Sequence, residues 1–195
     1  VTDCIVKDGR GAGIGVTWDG TCVAYRNEVS GYWKGIGSFG TSTVIARNNL
    51  VHDTRGWGIV ATGASTMEAC NNVVFHNGNC GIAPWSTDAR GRFVNNIIAD
   101  NGWRDQWVCP CVGVWNYGDW AKWKFANNIV WNNKAGAYQD IWDQTGMNGN
   151  LSVDPKFVTD GSFALSAESP AMHAGDTTIY NIDGSVSHIG LTGGP

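Results

Sequence analysis

Short hydrophobic runs separated by glycine and asparagine recur along most of the chain. The runs are rich in Val, Ile, Trp and Phe, which favour strands on a pleated, half-buried surface. No stretch of the sequence sustains the helical spacing of apolar positions that an amphipathic helix needs. Gly and Asn tolerate the left-handed backbone conformations of sharp bends. The pattern therefore predicts many short strands joined by tight bends.

An Asn-Asn doublet followed by two aliphatic residues marks an internal repeat. Its copies lie at 48–51, 71–74, 95–98 and 127–130. We align Cys4 and Cys22 with Asn49 as degraded earlier copies. Periods of roughly 20–50 residues are typical of solenoids, in which each repeat forms one coil. The sequence predicts an all-β, single-stranded parallel β-helix of about six coils at 1–150. A C-terminal coil and capping segment, here called the closing segment, is predicted at 151–195.

Stacked coils lie about 4.8 Å apart, so identical side chains at one bend meet between coils. The second asparagines of the doublets are therefore predicted to form a hydrogen-bonded ladder. A second polar column follows five positions later and contains Asn27, Asn77, Asn101 and Asn133. Both columns are interpreted as architecture rather than as ligand sites.

A second short hydrophobic segment follows the doublet in each coil. It lies at Ile59 after the doublet that ends at Asn49, but only at Val114 after the doublet that ends at Asn96, which is a longer interval. The longer interval indicates an insertion, which contains Trp103, Trp107, Cys109 and Cys111. We place Ile141 at the equivalent position of the next coil. Trp115 and Trp142 are then predicted to point outward from one sheet on neighbouring coils, because side chains alternate along a strand.

Composition and charge narrow the function classes. The 195 residues include 11 Trp and 6 Cys, and only 15% are charged. The formal net charge of −4 provides no basic face for nucleic acid, and no apolar run is long enough to span a membrane. Low lysine content and an even number of cysteines are typical of a secreted or cell-surface protein. The cysteines are either disulfides or small buried hydrophobic residues, and the sequence leaves both open.

The C-terminal part carries a series of short motifs. They are Asp154-Pro155-Lys156-Phe157, Phe163-Ala164-Leu165, Ser169-Pro170-Ala171, Ala174-Gly175-Asp176 and Ile189-Gly190. This series and the repeat before it resemble bacterial secreted right-handed β-helix proteins of the pectate-lyase-like superfamily. The resemblance implies a right-handed coil whose solenoid ends in this segment. Two residues depart from the family pattern, since His173 and His188 stand where its members have aspartate.

That superfamily includes pectate lyases, polygalacturonases, alginate and chondroitin lyases, mannuronan epimerases, adhesins and phage tail proteins. The Asn-Thr-Asp, Gly-His-Gly, Asp-Pro-His-Asp and Trp-Ile-Asp-His motifs of its enzymes are absent from this sequence. The resemblance therefore implies the fold more strongly than an activity. We hypothesise an extracellular carbohydrate-binding or adhesive module. The alternatives are a polysaccharide lyase or glycoside hydrolase acting on an acidic polysaccharide, and a structural surface or filament protein.

Aromatic residues are the main candidates for ligand contact. Trp85, Trp115, Trp131 and Trp142 are predicted to bind polysaccharide or another glycan. Exposed rings suit sugars because a ring covers C–H groups while the sugar hydroxyls stay hydrated. Phe75 and Trp131 are predicted to share a second column. The alternative is that insertion loops fold back over the coil and bury these rings.

Charged residues near these rings are the candidates for catalysis. A lyase needs a base and a cation on the uronate carboxylate, and a hydrolase needs two carboxylates. The catalytic candidates are Asp140, Asp143, Lys122 and Arg104. Alternatively, Asp140 and Asp143 are Ca²⁺ ligands or solvated surface residues. Apart from this Ca²⁺ alternative, no cofactor and no metal site is predicted. His52 and His76 lie one position apart in register, so they are not expected to form a metal pair.

The N-terminal end of the coil is predicted to be open. Val1 enters within a coil, and an uncovered terminal coil presents unpaired backbone groups. We expect either neighbouring coils before Val1 in a larger protein or end-to-end self-association at this end.

Overall fold

The computed structural model of the chain describes residues 1–105, 109–159 and 161–195. The first sheet contains β1 (Ile5–Lys7), β4 (Glu28–Ser30), β7 (Leu50–His52), β10 (Val73–Phe75), β13 (Ile97–Ala99) and β16 (Ile129–Trp131). The second sheet contains β2 (Ala12–Val16), β5 (Lys34–Ser38), β8 (Trp57–Ala61), β11 (Ile82–Pro84), β14 (Val114–Trp115) and β17 (Tyr138–Gln139). The third sheet contains β3 (Thr21–Tyr25), β6 (Thr43–Arg47), β9 (Thr66–Cys70), β12 (Arg90–Val94) and β15 (Trp123–Ala126). A 3-10 helix spans Trp120–Lys122.

The described strands pair in parallel, and each strand from β1 to β14 pairs with the strand three places later in the strand numbering. One strand from each sheet forms one side of a three-sided coil, and about six coils stack on one another. The predicted fold class, an all-β parallel β-helix, is confirmed. Within the described part of the chain, no helix has the length and apolar character needed to cross a membrane.

Columns of aliphatic residues fill the interior of the coil. The second sheet contributes Ile14, Ile36, Ile59, Ile82 and Val114, and the first sheet contributes Val29, Val51, Val74, Ile98 and Val130. Burying a Val or Ile side chain contributes roughly 1.5–3 kcal/mol, so the columns stabilise the coil along its length. A Cβ atom added at Gly58 would lie 2.3 Å from Val74 Cγ1. This close approach explains why a glycine precedes each residue of the second-sheet column.

A buried asparagine ladder follows one bend through successive coils. It consists of Asn27, Asn49, Asn72, Asn96, Asn128 and Asn150. The Asn72 amide donates to Asn96 Oδ1 at 2.9 Å and to the backbone carbonyl of Ala46 at 3.0 Å. Its Oδ1 atom accepts from both the side chain and the backbone N–H of Asn49. Each side chain thus satisfies buried backbone groups at the bend, and the predicted ladder is confirmed.

The alignment of the second coil with this ladder is wrong at one position. Asn27 occupies the ladder site, because its Nδ2 donates to Asn49 Oδ1 at 2.9 Å. Cys22 instead pairs with Val44 in the third sheet. The alignment of Cys4 agrees with the structure, since its backbone N–H donates to Asn27 Oδ1 at 3.1 Å.

A second ladder runs along the bend between the first and second sheets. Asn77, Asn101 and Asn133 are joined by Nδ2-to-Oδ1 hydrogen bonds of 2.9 Å, as the sequence predicted. Thr54 takes the position before them and donates its backbone N–H to Asn77 Oδ1. Asn27 does not belong to this column, because its side chain bonds Asn49 in the first ladder.

The first asparagine of each doublet contacts the C-terminal segment instead of the interior. Asn48, Asn71, Asn95 and Asn127 have φ values of 52–58°, a left-handed conformation that Asn adopts more readily than most residues. Asn48 Nδ2 donates to the carbonyl of Leu191 at 2.9 Å, and Asn71 Nδ2 to that of His188 at 2.8 Å. The doublet therefore joins one internal ladder residue to one external attachment point.

The C-terminal segment runs along the side of the coil. Leu151 bridges Ile129 in the last coil, and near the first coils Tyr25 Oη donates to the carbonyl of Pro195 at 3.0 Å. The apolar residues packed beside the first sheet are Phe157, Phe163, Leu165, Ala171 and Ile189. The contacts of the predicted closing segment thus lie on this flank, and the division of the chain at residue 150 stays a prediction.

The two histidines that depart from the family pattern face each other in this segment. The backbone N–H of His173 donates to His188 Nδ1 at 2.9 Å, and the two ring centroids lie 4.5 Å apart. Burial, together with the neighbouring His173, lowers the pKa of His188. A neutral imidazole therefore accepts this hydrogen bond.

Candidate functional site

Five aromatic rings form a continuous row beside the second sheet, outside the interior columns. The ring centroids lie 5.8 Å apart for Trp33 and Trp57, and 4.9 Å apart for Trp57 and Trp85. The row continues to Trp115 at 6.0 Å and from there to Tyr117 at 5.5 Å. Tilted and edge-to-face pairs at such separations contribute about 0.5–1.5 kcal/mol each beyond the area they bury. We call these five rings the aromatic row.

Buried and accessible rings alternate along the aromatic row. Trp57 is 2% exposed and Trp115 is 7% exposed, whereas Trp33 and Trp85 are half-buried and Tyr117 is 65% exposed. The buried rings pack with Val60 and Ala83 of the sheet and with Cys109 and Val112 of the insertion. Trp107 of the insertion lies outside the described residues. The buried rings hold the accessible ones in fixed positions, so the surface is formed before any ligand arrives.

Charged groups lie at both ends of the row. Lys34 Nζ lies 5.2 Å from the ring centroid of Trp57 and 5.7 Å from that of Phe39, and burial lowers the pKa of Lys34. Asp140 Oδ2 accepts a hydrogen bond from Trp115 Nε1 at 2.8 Å. The row therefore has a cation near its first rings and a carboxylate near its last.

A basic depression adjoins the row at Trp33. It has a volume of about 430 Å³ and is lined by Arg10, Gly11, Trp33, Arg55 and Arg104. The Arg104 guanidinium stacks on Trp33, 5.2 Å from the ring centroid, and its Nη1 donates to the carbonyl of Arg55 at 3.2 Å. Arg55 in turn donates to the carbonyl of Gly9. Three guanidinium groups around one depression give it a positive potential.

The structure places the four predicted binding tryptophans in three separate locations. Trp85 and Trp115 belong to the aromatic row. Trp131 shares a column with Phe75, as predicted, but both rings pack against the C-terminal segment. Trp142 is 84% exposed and lies outside the row.

The register predicted for Trp115 and Trp142 is wrong. Trp115 pairs with Gln139, and Trp142 lies three positions further along the chain. The second ladder fixes this register, because the bend at Asn133 places the start of the next strand at Tyr138. The strand that stacks on β14 therefore begins at Tyr138, although the hydrophobic pair at 141–142 matches the repeat pattern better.

The four predicted catalytic residues have separate partners. Arg104 and Asp140 contact opposite ends of the row, as described above. Asp143 accepts the backbone N–H of Thr145 at 2.8 Å, which lowers the pKa of Asp143. Lys122 Nζ bonds Asp88 Oδ1 at 3.0 Å. The described residues contain no group of three or more His, Cys, Asp or Glu arranged to hold a metal ion, and Ca²⁺ ligation by Asp140 and Asp143 stays a prediction.

A histidine–aspartate–histidine cluster lies on the bend after the first sheet. Asp53 Oδ1 bonds His76 Nδ1 at 2.6 Å, and its Oδ2 bonds His52 Nδ1 at 2.6 Å. His52 Nε2 lies 3.3 Å from Glu28 Oε1, which is 3.0 Å from Lys7 Nζ. Burial alone would raise the pKa of Asp53, but hydrogen bonds from His76 and His52 hold it below its ordinary value.

His76 is the more accessible of the two histidines, with 48% of its side chain exposed against 17% for His52. Its ring stacks on Trp103 of the insertion, with centroids 6.1 Å apart. Because Asp53 accepts a hydrogen bond from Nδ1, the neutral imidazole of His76 carries its proton there, and Nε2 is the unprotonated ring nitrogen. The predicted offset of one position between the two histidines is confirmed, since His52 pairs with Phe75. The sequence signal missed was Asp53, which occupies the position of His76 in the preceding coil.

Comparison with known proteins agrees with this architecture. The family model described as right handed beta helix region matches residues 1–101, just over half of the 195 residues. The chain belongs to this family. No match to a curated protein or to a solved structure was found. Membership of this family accounts for the coil and its right-handed sense. It does not define a function for the outer surface.

Proposed function

We propose that this right-handed β-helix binds a polysaccharide along the aromatic row. The observation that carries the proposal is the run of five rings whose successive centroids lie 4.9–6.0 Å apart. The row crosses the coils of β5, β8, β11 and β14, so it follows the axis of the stack. A chain lying along that axis would present its sugar units to the accessible rings, which are Trp33, Trp85 and Tyr117. Their C–H faces would pack on the rings while their hydroxyls remain in water.

The basic depression favours an acidic polysaccharide as the ligand. Guanidinium groups bind carboxylates and sulfates with paired hydrogen bonds, and three of them lie beside Trp33. Lys34 adds a cation over Trp57. Sugar carboxylates at this end of the row would therefore be paired with arginine. Because the depression is open to solvent, the electrostatic part of binding should weaken as salt increases.

Titration of the full chain with soluble polysaccharides tests this proposal. The probes are polygalacturonate, alginate and chondroitin sulfate, with neutral dextran for comparison. We expect an acidic polymer to bind at low salt, and Trp85→Ala to weaken that binding by roughly 30-fold, equivalent to about 2 kcal/mol for an aromatic anchor. Trp18→Ala is the matched control, because Trp18 is exposed and lies outside the row. Binding to none of the polymers, or equal losses in both variants, would remove the proposal.

Two predicted contacts outside the row are tested in the same titration. Trp142 is exposed, so Trp142→Ala shows whether the ligand extends beyond Tyr117. Trp131 packs under the C-terminal segment and is expected to contribute less while that segment is in place.

The Asp53–His76 pair favours a second candidate function, cleavage of an acidic polysaccharide by β-elimination. His76 Nε2 would take the proton from C5 of a uronate, a C4–C5 double bond would form, and the C4–O bond would break, with the departing oxygen taking a proton from water. Arg104 would pair with the uronate carboxylate. The insertion links the two groups, because Trp103 stacks on His76 and the next residue along the chain is Arg104.

Product formation separates cleavage from binding. A lyase would produce unsaturated ends that absorb in the ultraviolet, and His76→Gln should abolish this signal while leaving polymer binding unchanged. Release of reducing ends without that absorbance would indicate a hydrolase. If neither signal appears with or without Ca²⁺, the enzymatic alternative fails.

Location and assembly also remain proposals. We propose that the protein acts outside the cell, in keeping with its low charge and its glycan-type surface. End-to-end association through the first coil, or a structural filament role, predicts a mass that rises with concentration. Light scattering that shows one mass over a wide concentration range would exclude both.

A further inference from the structure

Two cysteine sulfurs are in contact beneath the insertion. The Sγ atoms of Cys80 and Cys109 lie 3.8 Å apart, and both residues are buried in the cluster that contains Trp57 and Trp115. All six cysteines, which fall within the described part of the chain, carry free thiols in this structure. The Cys80 thiol donates to Cys109, and this hydrogen bond lowers the pKa of Cys109, whereas burial raises the pKa of Cys80.

The other four cysteines have different surroundings. Cys111 Sγ donates to the carbonyl of Arg104 at 3.0 Å, and Cys4 Sγ donates to that of Thr2 at 3.2 Å. Cys22 and Cys70 lie in β3 and β9 of the third sheet. Among the described residues, Cys80 and Cys109 are therefore the pair placed for a covalent bond.

We propose that Cys80 and Cys109 form a disulfide that fastens the insertion to the coil. Cys80 lies just before β11, and Cys109 lies in the insertion that precedes β14. The bond would enclose the segment 81–108. A cross-link across a loop of this size restricts the unfolded chain and so favours the folded state. A shortening from 3.8 Å to the roughly 2.05 Å of a disulfide requires a local adjustment of the insertion.

The oxidation needs an electron acceptor, for which oxidised glutathione is sufficient. A thiolate of the pair attacks the glutathione disulfide and releases one reduced glutathione. The second protein thiolate then displaces the other glutathione from the mixed disulfide. The protein loses two thiol protons and two electrons, and one oxidised glutathione becomes two reduced molecules. Because both thiols are buried in the closed structure, we expect the exchange to occur before the insertion packs down.

The consequence for binding, unlike the disulfide itself, rests on the proposed glycan function. The insertion brings Arg104 onto Trp33 and Trp103 onto His76. Both contacts are present with free thiols, so the bond would restrain an insertion that is already packed. Reduction would remove that restraint while the rings of Trp57 and Trp85 stay on the coil. We therefore expect reduced protein to bind an acidic polymer several-fold more weakly, with a smaller dependence on salt.

Peptide mapping tests the bond directly. The full chain is refolded in a glutathione redox buffer, its remaining thiols are alkylated, and it is digested with trypsin without reduction. Cleavage after Arg and Lys leaves Cys70 with Cys80 in the peptide 56–90, and Cys109 with Cys111 in the peptide 105–122. We expect a linked pair of these peptides that disappears after reduction.

Single variants identify the sulfurs involved. The link should persist in Cys70→Ser and Cys111→Ser and be lost in Cys80→Ser and Cys109→Ser. The urea midpoint should fall on reduction of the wild-type chain and should not change on reduction of Cys109→Ser. Absence of the link under oxidising conditions, or its persistence in Cys80→Ser or Cys109→Ser, would overturn the proposal. A link without polysaccharide binding would count against the proposed function alone, and binding without the link against the disulfide alone.

Discussion

The outer faces of the first and second sheets of this β-helix both carry aromatic residues. The two faces differ in which segment covers those residues. On the first sheet, Phe75 and Trp131 pack under the C-terminal segment. On the second sheet, the insertion covers Trp57 and Trp115, while Tyr117 remains accessible. An outward aromatic column on a β-helix is therefore not by itself a binding surface. The segment that folds over it decides whether its rings serve packing or ligand contact.

The largest expected effect concerns the interior that both faces share. Asn96→Ala would leave the buried partners of Asn96 unsatisfied, including the backbone N–H of Asn72 and the carbonyl of Ala69. At about 1–3 kcal/mol for each orphaned group, we expect the free energy of unfolding to fall by about 4 kcal/mol. Urea denaturation followed by tryptophan fluorescence measures it.

The matched control for that change is its neighbour in the doublet. Asn95 has a φ of 58°, which glycine adopts freely, and its side chain accepts the backbone N–H of Asp176 at 2.8 Å. Asn95→Gly should cost about 1 kcal/mol, since it affects the attachment of the C-terminal segment and not the ladder. Similar losses in the two variants would contradict the division of roles within the doublet.

The next largest effect on stability is expected in the C-terminal segment that covers the first sheet. Phe157 is half-buried, with its ring centroid 6.4 Å from that of Phe75 and 5.4 Å from that of Phe163. We expect Phe157→Ala to lower the free energy of unfolding by about 2 kcal/mol, less than for a fully buried phenylalanine. Polysaccharide binding should be unchanged, because the aromatic row lies on the other face. A loss of binding in this variant would show that the two faces are coupled.

A smaller effect depends on pH and again concerns the covered face. The pKa of His188 is lowered from its ordinary value of about 6.5, so between these two pKa values the unfolded chain binds more protons than the folded one. Its contribution to stability is therefore complete above about pH 6.5 and is lost as the pH falls through that value toward the folded pKa. Denaturation midpoints measured from pH 7 down to pH 5 should decline. His188→Asn keeps an acceptor for the His173 N–H without titrating, and it should make that profile flatter.

The smallest expected effect on stability belongs to the open face. Tyr117 is 65% exposed and its ring pairs with Trp115 at the end of the row, so Tyr117→Ala should lower the free energy of unfolding by about 0.5 kcal/mol, the lower limit for one such pair. The same variant should weaken polysaccharide binding, because it removes the most accessible ring of the row. A large loss of stability with unchanged binding would reverse the roles assigned to the two faces.

Much of the coil could be predicted from residue spacing alone. The doublets located the ladder at Asn49, Asn72, Asn96 and Asn128, because one residue type meets the same need at each bend. The two register errors have different causes. Asn27 keeps the ladder spacing without a preceding Asn, and the second ladder, rather than the hydrophobic pair at 141–142, sets the register of Tyr138.

The candidate site was only partly accessible to the same reasoning. Trp85 and Trp115 were identified as aromatic candidates, and Arg104 as a nearby cation. Their grouping with Trp33 and Arg55 was not, because those contacts join residues from different coils and from the insertion. The pairing of Asp53 with His76 likewise requires two bends to stack at a known register.

The sequence by itself determined the repeat, the strands, the inward columns and the asparagine ladders. These features follow from a local need that recurs once in every coil, so a period in the chain is enough to reveal them. Only the tertiary structure decided which outer face is covered, where the insertion lies and which side chains meet there. Those outcomes depend on where two non-repeating segments pack, and a segment that occurs once leaves no period from which its position can be inferred.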